Sequence, residues 1–327
     1  MKLAIVGATG VVGREALKII EQHGVMLNGL RLFASARSAA SRLSVLGREC
    51  IVEELCESSF DSLDVDVAIF SAGGDVSKKY APIAAQKGIT VIDNSSAFRM
   101  EPDVPLVVPE VNPSHIENIR RGIIANPNCS TIQAVVALKP LSDAYGLRRV
   151  VYSTYQAVSG AGEGGVRDLR EGVSGTAPLK FRHPIYANVI PQIDEFQQDG
   201  YTKEEAKMVN ETRKILGLPH LKITATTVRV PVYNSHSIAI NIELESSFEL
   251  DDVRKLLAQS PGIELRDEPA RGIYPMPIDV SGRDEVFVGR IRRDFSLESG
   301  LNIWCVADNL RKGAALNALQ IAQMIQN

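Results

Sequence analysis

Apolar residues along the first 130 positions follow two alternating periods. Lys2-Leu3-Ala4-Ile5-Val6 is apolar after its first residue, the pattern of a strand buried on both faces. Val11 to Gln22 follows with Val12, Ala16, Ile19 and Ile20 apolar, the spacing of one helix face. Leu30 to Ala34, Val65 to Phe70 and Thr90 to Ile92 repeat the strand pattern. Strands separated by helical stretches predict βαβ units and a parallel sheet. From Asn126 the chain reads as a loop entering a helix: Thr131 to Leu138 is apolar and helix-compatible, and Pro140 is expected to mark the helix end.

The middle of the chain changes character. Arg149 to Val158 is rich in β-formers, and a glycine-rich loop is expected from Ser159 through Gly165. Leu221 to Val232 and Ser237 to Leu244 alternate as strands do. Between them, Tyr201 to Leu216 reads as a charged helix whose Thr202 cap and Glu205 form a capping box. Lys312 to Gln323 has the alanine-rich pattern of a closing helix. Runs of strands point to an α+β domain with a mostly antiparallel sheet. The expected fold class is therefore α/β, a Rossmann-like nucleotide domain joined to that second domain. No internal repeat or low-complexity linker marks the boundary, so its position near residue 130 rests on the change of pattern alone.

Length and charge narrow the function classes. A chain of 327 residues suggests two domains and can bury cores without disulfides or metals. Its 36 basic and 39 acidic residues give a net charge of -3, which offers no general attraction to nucleic acid or an anionic membrane. Cys50, Cys56, Cys129 and Cys305 form no CxxC pair, and the apolar start stops at Gly7, too short for a secretory core. A reduced, cytoplasmic protein is expected, and no metal site, since the histidines and cysteines do not cluster at ligand spacing.

Gly7-Ala8-Thr9-Gly10-Val11-Val12-Gly13 lies between the first strand and the first helix, with G-x-x-G-x-x-G spacing. Glycines serve where the chain turns, where backbone nears a pyrophosphate and where helix packs on strand; the helix start then offers N–H groups to the phosphates. The same pattern occurs in ordinary βα turns, and its position in a βαβ run is what favours a dinucleotide. The second strand ends in Ser35-Ala36-Arg37-Ser38, with no acid for a ribose 2′-hydroxyl. Hydroxyls and a guanidinium suit a 2′-phosphate, so NADP is favoured. Cys129, in Asn126-Pro127-Asn128-Cys129-Ser130-Thr131, stands at a predicted helix start, where the dipole favours a thiolate. Alone it would more often be a small buried hydrophobe, the reading that Cys50, Cys56 and Cys305 keep, with no turn nearby to expose them.

Ten segments in order carry a family resemblance: GATGVVG from Gly7, ASARS from Ala34, DNSSAFRM from Asp93, VPEVN from Val108, NPNCST from Asn126, YQAVSGAG from Tyr155, NVIPQID from Asn188, EEAKMVNET from Glu204, VRVPVYNSHS from Val228 and VADNLRKGAALNALQIA from Val306. The chain resembles the bacterial type of aspartate-β-semialdehyde dehydrogenase nearly end to end. The resemblance implies NADPH-dependent reduction of aspartyl phosphate to aspartate semialdehyde with release of inorganic phosphate, in the biosynthesis of lysine, threonine, methionine and diaminopimelate. It implies Cys129 as nucleophile, His236 as general acid/base titrating near neutrality, and Gln156 as an orienting residue. Arg99, Asn128 and Lys207 fall at its phosphate positions, Arg229 at the substrate carboxylate and Glu204 at the substrate ammonium.

For the cofactor, the resemblance adds Ser159, Gly160, Ala161, Gly162 and Asn309 to Gly7, Thr9, Gly10, Val11, Val12, Gly13, Ser35, Arg37 and Ser38. Ser71, Ala72 and Gly73 are expected to line it from a βα loop. If Asn309 reaches that site, the first domain comprises 1–128 plus 309–327 and the catalytic and dimerisation domain 129–308. The family is typically a homodimer. One departure stands out: many relatives continue ASARS into Ala-Gly-Lys, where this chain has Ala39-Ala40-Ser41-Arg42. On spacing alone, Glu204 and Lys207 would be a surface ion pair and His236 a structural histidine. N-acetyl-glutamyl-phosphate reductase is the nearest rival, but an acylated amine carries no positive charge, so a carboxylate such as Glu204 opposite it makes less sense. A non-catalytic NADP-binding relative should have lost Cys129, Gln156 or His236.

Overall fold

The computed structural model describes residues 1–61 and 63–326. The chain divides after Asn128 and again before Ala314, giving one unit of Met1–Asn128 with the C-terminal segment and a second of Cys129–Gly313. The return to the first unit thus falls at Ala314 rather than at 309, because Asn309 bonds within the second unit to Ser159 and Ser235.

The first unit contains β1 (Lys2–Val6), α1 (Val11–Gln22), β2 (Gly29–Ala34), β3 (Arg42–Val45), β4 (Arg48–Glu54), β5 (Val67–Phe70), α2 (Gly74–Gln86), β6 (Thr90–Asp93) and β7 (Ile123–Ala125). They form a seven-stranded sheet in the order β3-β4-β2-β1-β5-β6-β7, parallel except where β3 meets β4. The order reverses at β1, so the loops after β1 and β5 flank the switch point where such sheets bind nucleotides. The β3–β4 hairpin was not expected. Leu46 and Gly47 turn it, and both adopt positive φ.

The second unit contains α3 (Cys129–Tyr145), β8 (Leu147–Gln156), α4 (Glu163–Gly172), α5 (Lys203–Leu216), β9 (Lys222–Arg229), β10 (His236–Leu244), α6 (Leu250–Gln259), β11 (Ile263–Leu265), α7 (Pro277–Val280), β12 (Val286–Asp294) and β13 (Gly300–Ala307). The six-stranded sheet runs β11-β12-β13-β10-β8-β9. Its three inner pairings are antiparallel, and its two edge pairings, β11 with β12 and β8 with β9, are parallel. Helices α3, α5 and α6 pack against the sheet.

Two expectations about local structure fail. Pro140 does not end its helix; α3 continues to Tyr145. Leu141 is fully buried and the Tyr145 ring stands edge-on to Phe248, so packing holds the helical path that the missing N–H would break. The glycine-rich loop also ends early. Gly162 takes φ 76 and α4 starts at Glu163.

The closing segment begins as one wide helical turn, Arg311–Ala315, and continues as α8 (Leu316–Gln326) in the first unit. Leu316, Leu319 and Ile321 enter the core formed by Leu3, Ile5, Ile20 and Val67. Asn317 donates to Asn126 Oδ1 at 2.7 Å and to the Val107 carbonyl at 3.0 Å, fixing the segment that leads to Cys129. Among the described residues, no helix is long and apolar enough to cross a membrane.

Candidate active site

In the first unit, the loop after β1 is shaped by two glycine contacts. Gly7 takes φ +90, and a Cβ there would meet the Ser71 backbone at 2.9 Å. A Cβ on Gly13 would lie 2.3 Å from the Gly7 carbonyl oxygen. The strand, the Ser71–Gly73 loop and the start of α1 therefore approach as only glycine permits. Gly10 caps α1 without a side-chain hydrogen bond, and the first turn holds no acid, so the N–H groups near Val11 and Val12 meet no competing carboxylate on that turn. Ser35, Arg37 and Ser38 follow β2 on a short helical turn; Arg42, by contrast, is held by Glu49 at 2.7 Å. These residues fit a dinucleotide with a 2′-phosphate.

Arg99 is buried in the same unit. It donates from Nε to the Asn126 carbonyl at 2.9 Å and from Nη2 to the Asn94 carbonyl at 3.0 Å, tying together the loops after β6 and β7. Asn128, also buried, is the last residue of this unit.

The second unit gathers most of the remaining candidates. Cys129 is the first residue of α3 and is half-buried. A Cβ on Gly313 would come within 3.0 Å of the Cys129 Cβ, so a larger residue there would crowd the thiol. His236 opens β10 and is fully buried. The Ala157 N–H donates to its Nδ1 at 3.0 Å, so a neutral ring carries its proton on Nε2. That Nε2 is buried without a hydrogen-bond partner. Burial, with the nearby Arg229 charge second, pushes the imidazole well below its ordinary 6.5, so it is neutral near pH 7 instead of titrating there.

Arg229 ends β9. It is buried, donates from Nη1 to the Ala157 carbonyl at 2.6 Å, and leaves Nε without a partner. Desolvation lowers its pKa, while Glu204 and Cys129 counter that shift. Gly160 lies against both groups: a Cβ there would be 2.9 Å from Arg229 Nη1 and 3.1 Å from His236 Nε2. Gln156, at the end of β8, donates to Glu204 Oε1 at 3.3 Å. Glu204 is buried in the first turn of α5 and accepts from Lys207 Nζ at 3.3 Å. A three-residue spacing that alone suggests a surface pair is here a buried carboxylate with a half-buried lysine.

Other participants were not anticipated. Asp194 binds Lys207 at 2.7 Å from a left-handed backbone position, φ 68, and its carboxyl is lowered by Lys207 despite the opposing effect of burial. Ala157 acts through its backbone, which no side-chain motif reveals. Ser235, just before His236, takes φ 72. Its N–H donates to Asn309 Oδ1 at 2.9 Å, and Asn309 Nδ2 donates to Ser159 Oγ at 3.0 Å. Ser159 and Asn309 thus brace the turn that presents His236, and Gly162 opens α4 beyond Ala161.

Among the other cysteines, Cys305 is buried and its thiol pushed up by desolvation. Cys56 departs from the buried reading. It is exposed, caps the Glu57–Phe60 turn, and its thiol is lowered by hydrogen bonds with Ser58 and Ser59. Among the described residues, no three His, Cys, Asp or Glu side chains are grouped as for a metal.

Residues 2–119 match the family model described as semialdehyde dehydrogenase, NAD binding domain, and residues 138–312 the one described as semialdehyde dehydrogenase, dimerisation domain. The aspartate-semialdehyde dehydrogenase of Aquifex aeolicus is 52% identical over 99% of this chain and 97% of its own length. A crystal structure of aspartate semialdehyde dehydrogenase II from Vibrio cholerae, complexed with ASA, superposes with TM-score 0.95 at 46% identity, covering 99% of this chain and 98% of that one. The enzyme from Candida albicans, crystallised with NADP, gives TM-score 0.77 at 26% identity over 99% of this chain and 98% of its own.

Proposed function

The chain belongs to the aspartate-semialdehyde dehydrogenase family, and on that premise we propose how its residues divide the chemistry. It is an oxidoreductase that interconverts aspartyl phosphate and aspartate semialdehyde with NADP, in amino-acid biosynthesis. The observation that carries this reading is the convergence within one unit of a helix-start thiol, a neutral imidazole with an unpartnered Nε2, and a buried arginine with an unpartnered Nε.

Cys129 attacks the acyl phosphate carbon, the C–O bond to phosphate breaks, and a thioester forms. Its place at the start of α3 and its nearness to Arg229 favour the thiolate. The Gly7–Gly13 turn with Ser35, Arg37 and Ser38 would hold the cofactor, which when bound would supply a hydride to the thioester carbon. The oxyanion then left on that carbon accepts a hydrogen bond from His236 Nε2–H. Its collapse re-forms the thiolate and frees the aldehyde. The single proton consumed overall leaves on hydrogen phosphate, so His236 serves as a fixed donor and need not change charge. This refines the acid/base role expected from sequence.

Arg229 takes the substrate α-carboxylate in a two-bond fork, and Glu204 the α-ammonium. Gln156 orients the acyl group. Arg99, Lys207 and Asn128 attend the phosphate. The buried Glu204 carboxylate, suited to pair with a free ammonium, favours this reading over the N-acetyl-glutamyl-phosphate reaction. The chain acts as a homodimer through the sheet face that carries Ala239. There Ser153, Ala239 and Trp304 lie in one row across β8, β10 and β13, next to Val151, Asn241 and Asn302. All six are half-buried, as a face awaiting a second copy would be.

The test is the reverse reaction, following reduced nicotinamide absorbance with aspartate semialdehyde, NADP and phosphate. Turnover should require phosphate, and its persistence without phosphate would overturn the phosphorylating route. Cys129→Ser should lose activity by about 10³-fold or more, because a neutral hydroxyl is a far weaker nucleophile than a thiolate.

A further inference from the structure

Arg229 forms one wall of a cavity of about 190 Å³ whose other side is built by the irregular segment after α4, with Lys180, Phe181, Ile190, Gln192 and Asp194. This segment carries no long helix or strand, so something else must hold it. Ile190 does so at one point: it exchanges backbone hydrogen bonds with Arg229 at 2.9 and 2.8 Å. Asp168 does so at another. Its side chain is 1% exposed on α4, and its carboxylate accepts the consecutive N–H groups of Leu179 at 3.0 Å, Lys180 at 2.7 Å and Phe181 at 2.9 Å. Arg167 adds a fourth donor at 2.9 Å.

A single buried carboxylate thus bends three successive peptides into one cradle, and the last of them is Phe181. The Phe181 ring lies 5.9 Å from the Arg229 guanidinium. That is the outer limit of a cation–π attraction, so the ring acts chiefly as a wall. It has little slack: its tip sits 3.1 Å from where a Cβ on Gly165 of α4 would be. The guanidinium is therefore bounded by the Ala157 carbonyl on one side and the Phe181 ring on another.

We propose that Asp168 is a positioning residue for substrate recognition, setting Phe181 through the 179–181 backbone and so fixing the direction in which Arg229 offers its two-bond fork. This rests on the assignment of Arg229 to the substrate carboxylate. It places a determinant of substrate affinity on a side chain outside the reacting cluster. The chemistry at Cys129 and His236 does not pass through it, so the effect belongs in KM.

The experiment compares Asp168→Asn, Phe181→Leu, their double variant and Arg229→Lys in the phosphate-dependent reverse assay. The asparagine keeps the shape but replaces one acceptor oxygen with a donor that faces backbone N–H groups. Asp168→Asn should raise KM for aspartate semialdehyde about tenfold, with kcat within about twofold and KM for NADP unchanged. Phe181→Leu should raise the same KM several-fold. The double variant should be no worse than Asp168→Asn, because both act along one path.

Unchanged KM in both single variants, or multiplicative effects in the double, would overturn the proposal, as would an equal loss in kcat and both KM values. If Asp168→Asn does not fold, Phe181→Leu decides alone. Arg229→Lys separates the underlying assignment: if it leaves KM for aspartate semialdehyde unchanged, the carboxylate site is elsewhere. If it raises KM while Phe181→Leu does not, only the positioning role fails.

Discussion

His236 combines two constraints that rarely meet on one imidazole. The Ala157 N–H claims Nδ1, and complete burial keeps the ring uncharged. Two results follow. Because the neutral ring works by donating from Nε2, His236→Gln, which keeps an N–H but cannot titrate, should retain part of the activity. His236→Ala should lose about 10²–10³ in kcat, the scale of a removed oxyanion donor. NADP affinity, read by fluorescence titration, should be unchanged in both, and equal activities for the two variants would remove the donor role.

Stability responds to the same group. The unfolded imidazole gains a proton as pH falls through 6.5, whereas the folded one resists until lower pH. The unfolded state then binds more protons, so stability is lost on acidification below about 6.5. Thermal midpoints measured from pH 7 to 5 should fall less steeply in His236→Gln than in the wild type. Asp168 shifts in the same direction for the opposite reason, since its charged form is the one the fold stabilises. Held at about 2 against an ordinary 3.8 by Arg167 and the three backbone donors, despite its burial, it loses its contribution only as pH drops through that lower window.

Helix α5 shows what element-level reading captures. Its cap box was legible because it depends on residue types at a fixed spacing: the Thr202 hydroxyl accepts from the Glu205 N–H at 3.2 Å, and Glu205 accepts from the Thr202 N–H at 2.7 Å. What the spacing could not disclose is the second task of Glu205, which also accepts the Thr227 N–H on β9 at 3.0 Å. That bond ties the helix of Glu204 and Lys207 to the strand of Arg229. Thr202→Ala should cost about 1 kcal/mol in denaturant unfolding, as an ordinary cap does. Glu205→Ala should cost about 2–3 kcal/mol, since it strands buried backbone donors on two elements. Equal losses would mean the β9 bond carries no weight.

The same contrast runs through the site. The tight turn of Gly7, Gly10 and Gly13 and the helix start at Cys129 were legible from type and position, whereas a chemical role for Cys129 came only from the family resemblance. Asp168, Phe181 and Asp194 were not, since each works through a partner 13 or more residues away or through a neighbour's backbone. Pro140 misled because a local rule about helix ends yields to the packing of Leu141 and Tyr145. For Cys56 a signal did exist. Ser59 stands three residues on, with Phe60 buried after it, the spacing of a capped turn instead of a core position.

At the scale of the whole molecule, one face of the second unit's sheet stays half-buried across β8, β10 and β13, although α7 packs beside Trp304. A hydrophobic and small-residue row at its centre, Ser153–Ala239–Trp304, is what a two-fold contact needs, since each copy presents the same strip. Ala239→Arg would set a charge in the middle of that row. Sedimentation velocity should then show a monomer where the wild type sediments as a dimer. A variant that remains dimeric would move the interface to another surface.

The position of α8 has a consequence for how the protein is made. A ribosome emits β1 well before α8, yet Leu3 and Ile5 share a core with Leu319 and Ile321. The nucleotide unit therefore cannot close its interior until α8 has emerged, and the second unit, continuous from 129 to 313, can complete itself earlier. Birth order and folding order are inverted. The early strands keep apolar surface uncovered until the much later helix arrives. The glycine turn for the dinucleotide gains its full support only once α8 has been made.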